Sequence, residues 1–128
     1  MSNPTDPLAW VERAEEDYAL ARSSLRRKVP SAYGATFHAQ QCAEKYLKAI
    51  LIDVGQPFPK THDLVAVYDL CLSRGITLSF NLPDLQRLSA YAVQVRYPGM
   101  DPTIVEAKEA LKIAQSVRRA ARNWFSLP

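Results

Sequence analysis

From Gln40 to Ile52 the chain reads QQCAEKYLKAILI, an unbroken helical stretch that sets two glutamines and two lysines beside a run of apolar residues. Ser31 upstream has the side chain to cap such a helix, and Gly55 downstream supplies the left-handed residue that ends one. With Tyr33, Phe37, Leu47, Leu51 and Val54 at helical spacings, the stretch predicts a long second helix with one buried stripe. Two polar corners follow it, KTHDL at Lys60 to Leu64 and VRYPG at Val95 to Gly99. Function is expected at those corners.

The segments around this helix also read as helices. Asp6 followed by Pro7 is a start signal, because the carboxylate can accept from orphan amides and proline loses nothing at the first helical position. A first helix from about Pro7 to Lys28 puts Trp10, Ala14, Tyr18, Ala21 and Leu25 on one face. Glu12, Glu15, Glu16 and Arg22 fall on the other, and the order of Glu15, Glu16 and Asp17 before Arg26, Arg27 and Lys28 matches the helix dipole. Thr61 is the expected cap of a short third helix with Leu64, Val65, Val67, Leu70 and Cys71 on its apolar side and Gly75 as its stop. Ile76 to Asn81 alternates like a strand but has no partner strand, so it is read as a loop that packs Phe80. Pro83 opens a fourth helix with Leu85, Leu88, Ala92 and Val95 toward the core, ended by Pro98-Gly99. Thr103 and Glu106 form a capping box for a fifth, which runs to about Phe125 through Ala107, Ala110, Ala114, Val117, Ala121 and Trp124.

The expected fold is thus all-α, an up-and-down helical bundle of about five helices, with residues 1–128 forming one domain. Strict alternation gathers Lys60, Thr61, His62, Arg96 and Tyr97 at one pole. It gathers Arg26, Arg27, Lys28, Arg74, Arg118, Arg119 and Arg122 at the other. A hydrophobic content of 48% and a charged content of 23% fit an ordinary globular chain, and no apolar run is long enough to cross a bilayer. With no export-type start at MSNPTDPLAW, a cytoplasmic location is expected. Net charge is +3, which permits an anionic partner without requiring one.

Cys42 and Cys71 stand far apart at apolar helical positions and read as buried thiols, and His38 and His62 have no second ligand at metal spacing. No metal or cofactor is expected. At the first pole, Arg96, Lys60 and His62 would share a region with two helix starts whose unpaired amides suit a phosphate. The same residues have a structural reading, in which Thr61 and Asp63 cap a helix, His62 is solvated and Arg96 pairs with Asp101. On the second helix His38, Gln41, Lys45 and Lys48 form a polar stripe, of which Glu44 with Lys48 reads as a surface i, i+4 pair. Gln40 and Gln41 beside the core face need partners, and a second copy of the helix would supply them, making Gln40, Gln41, Lys45 and Lys48 the candidate interface.

QQCAEKYLKAILI, KTHDL, VRYPG and TIVEAKEALKIAQSV, in that order, resemble the HEPN domain, named for higher eukaryotes and prokaryotes nucleotide-binding. The resemblance covers about Trp10 to Val117. It implies a small helical bundle, a homodimer, and pairing with a minimal nucleotidyltransferase in a two-component or toxin and antitoxin system. Many members resemble metal-independent ribonucleases that use an arginine and, four to six residues on, a histidine against an RNA phosphate. Arg96 stands where that arginine would be, but Asp101, Pro102 and Thr103 occupy the positions for the histidine. The leading expectation is therefore a dimeric, non-catalytic protein that binds a nucleotide or nucleic-acid phosphate, with Arg96 carried over from the resemblance and Lys60, Thr61, His62 and Tyr97 joined to it by the shared pole. The alternatives are a ribonuclease using Arg96 with His62, and a helical scaffold with no ligand.

Overall fold

The computed structural model describes residues 5–94 and 98–128. Its helices are α1 (Pro7–Arg26), α2 (Ala32–Asp53), α3 (Leu64–Ser73), α4 (Leu82–Gln94) and α5 (Ile104–Trp124). Among the described residues there is no strand, and no helix is long and apolar enough to cross a membrane. The local start and stop signals act where the sequence puts them. Asp6 accepts from Leu8 N, Ser31 from Gly34 N, and Thr103 with Glu106 closes a reciprocal capping box. Gly55 and Gly75 take φ of 72° and 75° at the ends of α2 and α3. The cap of α3 is Asp63, not Thr61: the Asp63 carboxylate accepts from Val65 N and Ala66 N, while the Thr61 hydroxyl lies one step too early and accepts from Asp63 N at 3.1 Å.

α2 is the axis of the domain. From Ala39 to Leu51 nearly every residue is buried, because α1, α3, α4 and α5 all pack against it. Its first turns are different, and they correct the expected stripe. Tyr33 and Phe37 are 50% and 38% exposed, while Ala35, Thr36 and Ala39 take the inner positions. The cause is close approach of the α1 end: a Cβ at Gly34 would stand 3.0 Å from the Ser24 hydroxyl, so only small residues fit inward there. Trp124 is likewise no core residue. It is 38% exposed and donates its indole N–H to Asp53 at 3.1 Å.

The chain direction departs from strict alternation at one link. Residues 54–63 run back along α2: Phe58 packs edge-on against Trp10, Lys48 donates to the Thr61 carbonyl at 3.1 Å, and Gln40 donates to the His62 carbonyl at 2.9 Å. A link of that length reaches roughly 30 Å when extended, enough to retrace most of a helix. α3 therefore runs in the same sense as α2, and its C-cap Arg74 returns to Gln56 Oε1 at 2.7 Å. α4 comes back beside α3, with Ser89 Oγ accepting from Leu64 N and the loop residue Phe80 packed on Tyr68 at 4.8 Å. α5 opposes α4 through Arg87 and Glu109 at 2.6 Å, and opposes α1 through Arg118 and Glu15.

As expected, the starts of α3 and α5 share one end of the bundle with the end of α4. The other expected group divides. Arg74, Arg118, Arg119 and Arg122 stay near the α2 C-terminus, whereas Arg26, Arg27 and Lys28 sit at the opposite end, where Ser31 N bonds Ser24 O at 2.9 Å. Both cysteines are fully buried and free, and burial pushes the Cys71 thiol up to about 11 and the Cys42 thiol further. Val95 and the Ala92 side chain, expected in the core, lie outside the described residues.

Candidate functional site

The KTHDL corner is held by the returning link rather than by helix ends alone. Gln40, Glu44 and Lys48 are four residues apart, so they form one row along α2. The link lies over that row and buries it: Gln40 is 2%, Glu44 4% and Lys48 6% exposed. A buried carboxylate must be paired and hydrogen-bonded, and Glu44 is. Its Oε2 accepts from Lys48 Nζ at 3.1 Å, and its Oε1 accepts from Gln40 Nε2 at 3.2 Å and meets His62 Nδ1 at 2.8 Å. Gln40 fixes the corner twice over, since it also holds the His62 carbonyl, and its own Oε1 accepts from Gln41 Nε2 at 2.8 Å. Lys48 lies over the Phe58 ring at 5.3 Å as it reaches the Thr61 carbonyl. Glu44 and Lys48 are therefore the buried centre of the corner and not a surface pair.

The histidine is the one open member of this centre. Its side chain is 53% exposed against 5% for that of Glu44. With Nδ1 engaged by the carboxylate, the neutral ring carries its proton there and presents the Nε2 lone pair outward, while the protonated ring presents Nε2–H. Such a ring can accept a proton from a hydroxyl or donate to an anion. Lys60 is exposed and forms no ion pair among the described residues. Thr61 contributes its carbonyl to Lys48 and its hydroxyl to Asp63 N. Arg96 and Tyr97, expected at this corner, lie outside the described residues. One neighbour in the row is unspent: the hydroxyl of Thr36, four residues before Gln40, is fully buried and has no hydrogen-bond partner among the described residues.

Two other carboxylates face α2. Asp17, 6% exposed, is not a dipole partner at the start of α1, whose first turn holds no acidic residue. It bridges His38 Nδ1 at 2.8 Å and Lys45 Nζ at 2.5 Å. The polar stripe and candidate interface foreseen on the second helix thus divide: Gln40 and Lys48 are enclosed within the chain's own fold, and His38, Gln41 and Lys45 stay half-buried along α2. Glu15, assigned to a polar face, binds Arg118 through both oxygens at 2.7 and 2.8 Å and also accepts from the buried Tyr46 hydroxyl. Burial alone would raise the Glu15 pKa, but the hydrogen bonds from Arg118 and Tyr46 and the charges of Arg118 and Arg122 outweigh it and hold the group below its ordinary value. Burial and the Glu15 carboxylate push the Tyr46 hydroxyl up.

No sequence signal marks Glu44 as buried: Gln40, Gln41, Lys45 and Lys48 stand around it at helical spacings, as they would on a solvated face. Among the described residues, no group of three or more His, Cys, Asp and Glu side chains gathers as metal ligands.

A family model described as the HEPN domain matches residues 8–124 of the chain. A protein of Methanocaldococcus jannaschii named "Putative toxin MJ1304" is 28% identical, over 91% of this chain and 86% of that protein. No solved structure matches the chain significantly.

Proposed function

The chain belongs to the HEPN domain family, and from that premise we propose that it is a homodimeric phosphate-binding protein that pairs with a minimal nucleotidyltransferase in a toxin and antitoxin type system. The observation that carries this reading is the His62 imidazole, half-exposed and anchored at Nδ1 by the buried Glu44. A structural cap has no need of such an anchor. The protonated ring offers Nε2–H to a phosphate oxygen, Lys60 adds an exposed cation two residues before it, and Thr61 holds the backbone that carries both. Arg96 is assigned the remaining phosphate contact and Tyr97 a wall of the pocket. In a homodimer, Gln41 and Lys45 are the interface residues with side chains in reach, backed by Gln40 and Lys48. The toxin in the relative's name supports the type of system.

A second reading is favoured by the same anchor. A carboxylate that fixes Nδ1–H leaves Nε2 as an acceptor, the arrangement a general base needs to take the proton of a 2′-hydroxyl, with Arg96 on the phosphorane. That is a metal-independent ribonuclease using His62 in place of the histidine absent from residues 101–103. Calorimetric titration of the full chain with a nucleoside triphosphate, beside incubation with RNA in chelator, separates the readings. Binding that falls tenfold or more in Arg96→Ala and His62→Gln, with RNA left intact, supports the phosphate-binding protein. Cleavage that vanishes in His62→Ala replaces it with the nuclease, and neither binding nor cleavage leaves a scaffold.

A further inference from the structure

The α1–α2 corner carries a surface that the His62 reading does not use. Between Asp17 and Glu44 the chain has Arg22, Arg26, Arg27 and Lys28 and no carboxylate. Arg22 lies over the Tyr18 ring at 5.5 Å, and Arg26, Arg27 and Lys28 are exposed and form no ion pair among the described residues. α2 begins at this corner with no acidic residue in its first turn, so its positive dipole end adds to theirs.

Beside these cations stand the two aromatic residues that the periodicity assigned to the core. Tyr33 and Phe37 are one helical turn apart, with ring centroids 6.4 Å apart and planes within 4° of parallel, and the Phe37 ring meets the His38 edge at 5.1 Å. Parallel exposed rings a few residues along the chain from unpaired cations, in a segment without a carboxylate, match the two demands of a nucleic-acid strand. A duplex offers its bases only at groove edges, whereas a single strand offers their faces. Charge decides between this occupant and a second copy of the chain. Two such corners brought together would set cation against cation, and the Asp17 carboxylate beside His38 is already engaged by His38 and Lys45.

We propose that the α1–α2 corner docks single-stranded nucleic acid, its phosphates held by Arg26, Arg27 and Lys28 and its bases stacked on Tyr33 and Phe37. The proposal uses none of the residues assigned to the His62 corner and stands whether or not that corner binds phosphate. Fluorescence anisotropy with a labelled 2′-O-methyl oligouridine, which no 2′-hydroxyl attack can cleave, tests it on the full chain. Tyr33→Ala/Phe37→Ala should weaken binding at least about tenfold. Arg26→Gln/Arg27→Gln/Lys28→Gln should lower the slope of log affinity against log salt by about two. Both sets are surface changes, and either one reads the site alone if the other disturbs folding. Nucleotide titration of the aromatic variant reads the His62 corner separately. Loss of oligonucleotide affinity with unchanged sedimentation supports the proposal. Retained affinity in both variants overturns it, and so does a loss accompanied by dissociation of a dimer, which would give the face to a second copy.

Discussion

Glu15 and Glu44 are both carboxylates that the fold draws inward against α2, and their partners differ in kind. Glu15 receives the forked guanidinium of Arg118 in two bonds, with Arg122 at 3.5 Å and the buried Tyr46 hydroxyl behind it. All its partners are permanent donors at ordinary pH, so the group is a clasp between α1, α2 and α5. Glu44 is more deeply buried, with 5% of its side chain exposed against 31% for Glu15, but one of its partners is a histidine that faces solvent. A guanidinium closes a carboxylate off. An imidazole carries the carboxylate's influence outward to an atom a ligand can meet, so the second centre is the candidate site and the first is architecture.

The largest test of that contrast is Lys48→Ala. It leaves the Glu44 charge buried with only Gln40 and His62, and removing one partner of a buried pair costs about 3–5 kcal/mol. Urea unfolding followed by circular dichroism should show that loss, and a cost under about 1 kcal/mol would mean that Lys48 does not neutralise Glu44. The pair itself should be dispensable for folding. Glu44→Met/Lys48→Met should lie much closer to the wild type in stability, since apolar residues of similar volume often replace such a pair without loss. The same double variant removes the His62 anchor, so nucleotide affinity should fall where stability does not.

Which parts of this were legible in the sequence follows from how far each decision reaches along the chain. The Thr103 and Glu106 box, the Ser31 cap and the Gly55 stop are settled within four residues, and all stand as read. The fate of Glu44 and Lys48 is not local. An i, i+4 pair has the same spacing whether it faces water or lies under a returning link, and the link is fixed by contacts from Phe58, Thr61 and His62. The direction of α3 depends on the same link. Tyr33 and Phe37 keep a helical period, but period records only that two residues share a face, and that face is covered further along α2. His62 was legible as a candidate from its place in KTHDL. Its anchor was not.

At the Glu15 clasp, Arg118→Ala should cost less than the Lys48 change, about 1–2 kcal/mol, because the pair is partly exposed and Arg122 and Tyr46 remain. The pH dependence separates it from Glu44 further. The pKa of Glu15 is depressed in the folded chain, so its contribution is fully present above the ordinary value of 4.5 and is lost as pH falls below that value. Stability of the wild type should therefore decline on acidification through that range. Arg118→Ala should decline less, and parallel acid branches would show that Arg118 is not what holds the Glu15 charge.

The smallest expected effect on stability is the sharpest on function. His62→Ala removes a side chain that is 53% exposed and leaves Glu44 its bonds to Lys48 and Gln40, so unfolding should shift by less than about 1 kcal/mol. A residue kept only to satisfy Glu44 would have no further consequence. If the imidazole is the outward end of the buried centre, nucleotide affinity should drop tenfold or more in calorimetry while the urea midpoint barely moves. A variant that loses stability and keeps its affinity would reverse the assignment, making His62 part of the clasping architecture and leaving the Glu15 and Glu44 centres alike in purpose.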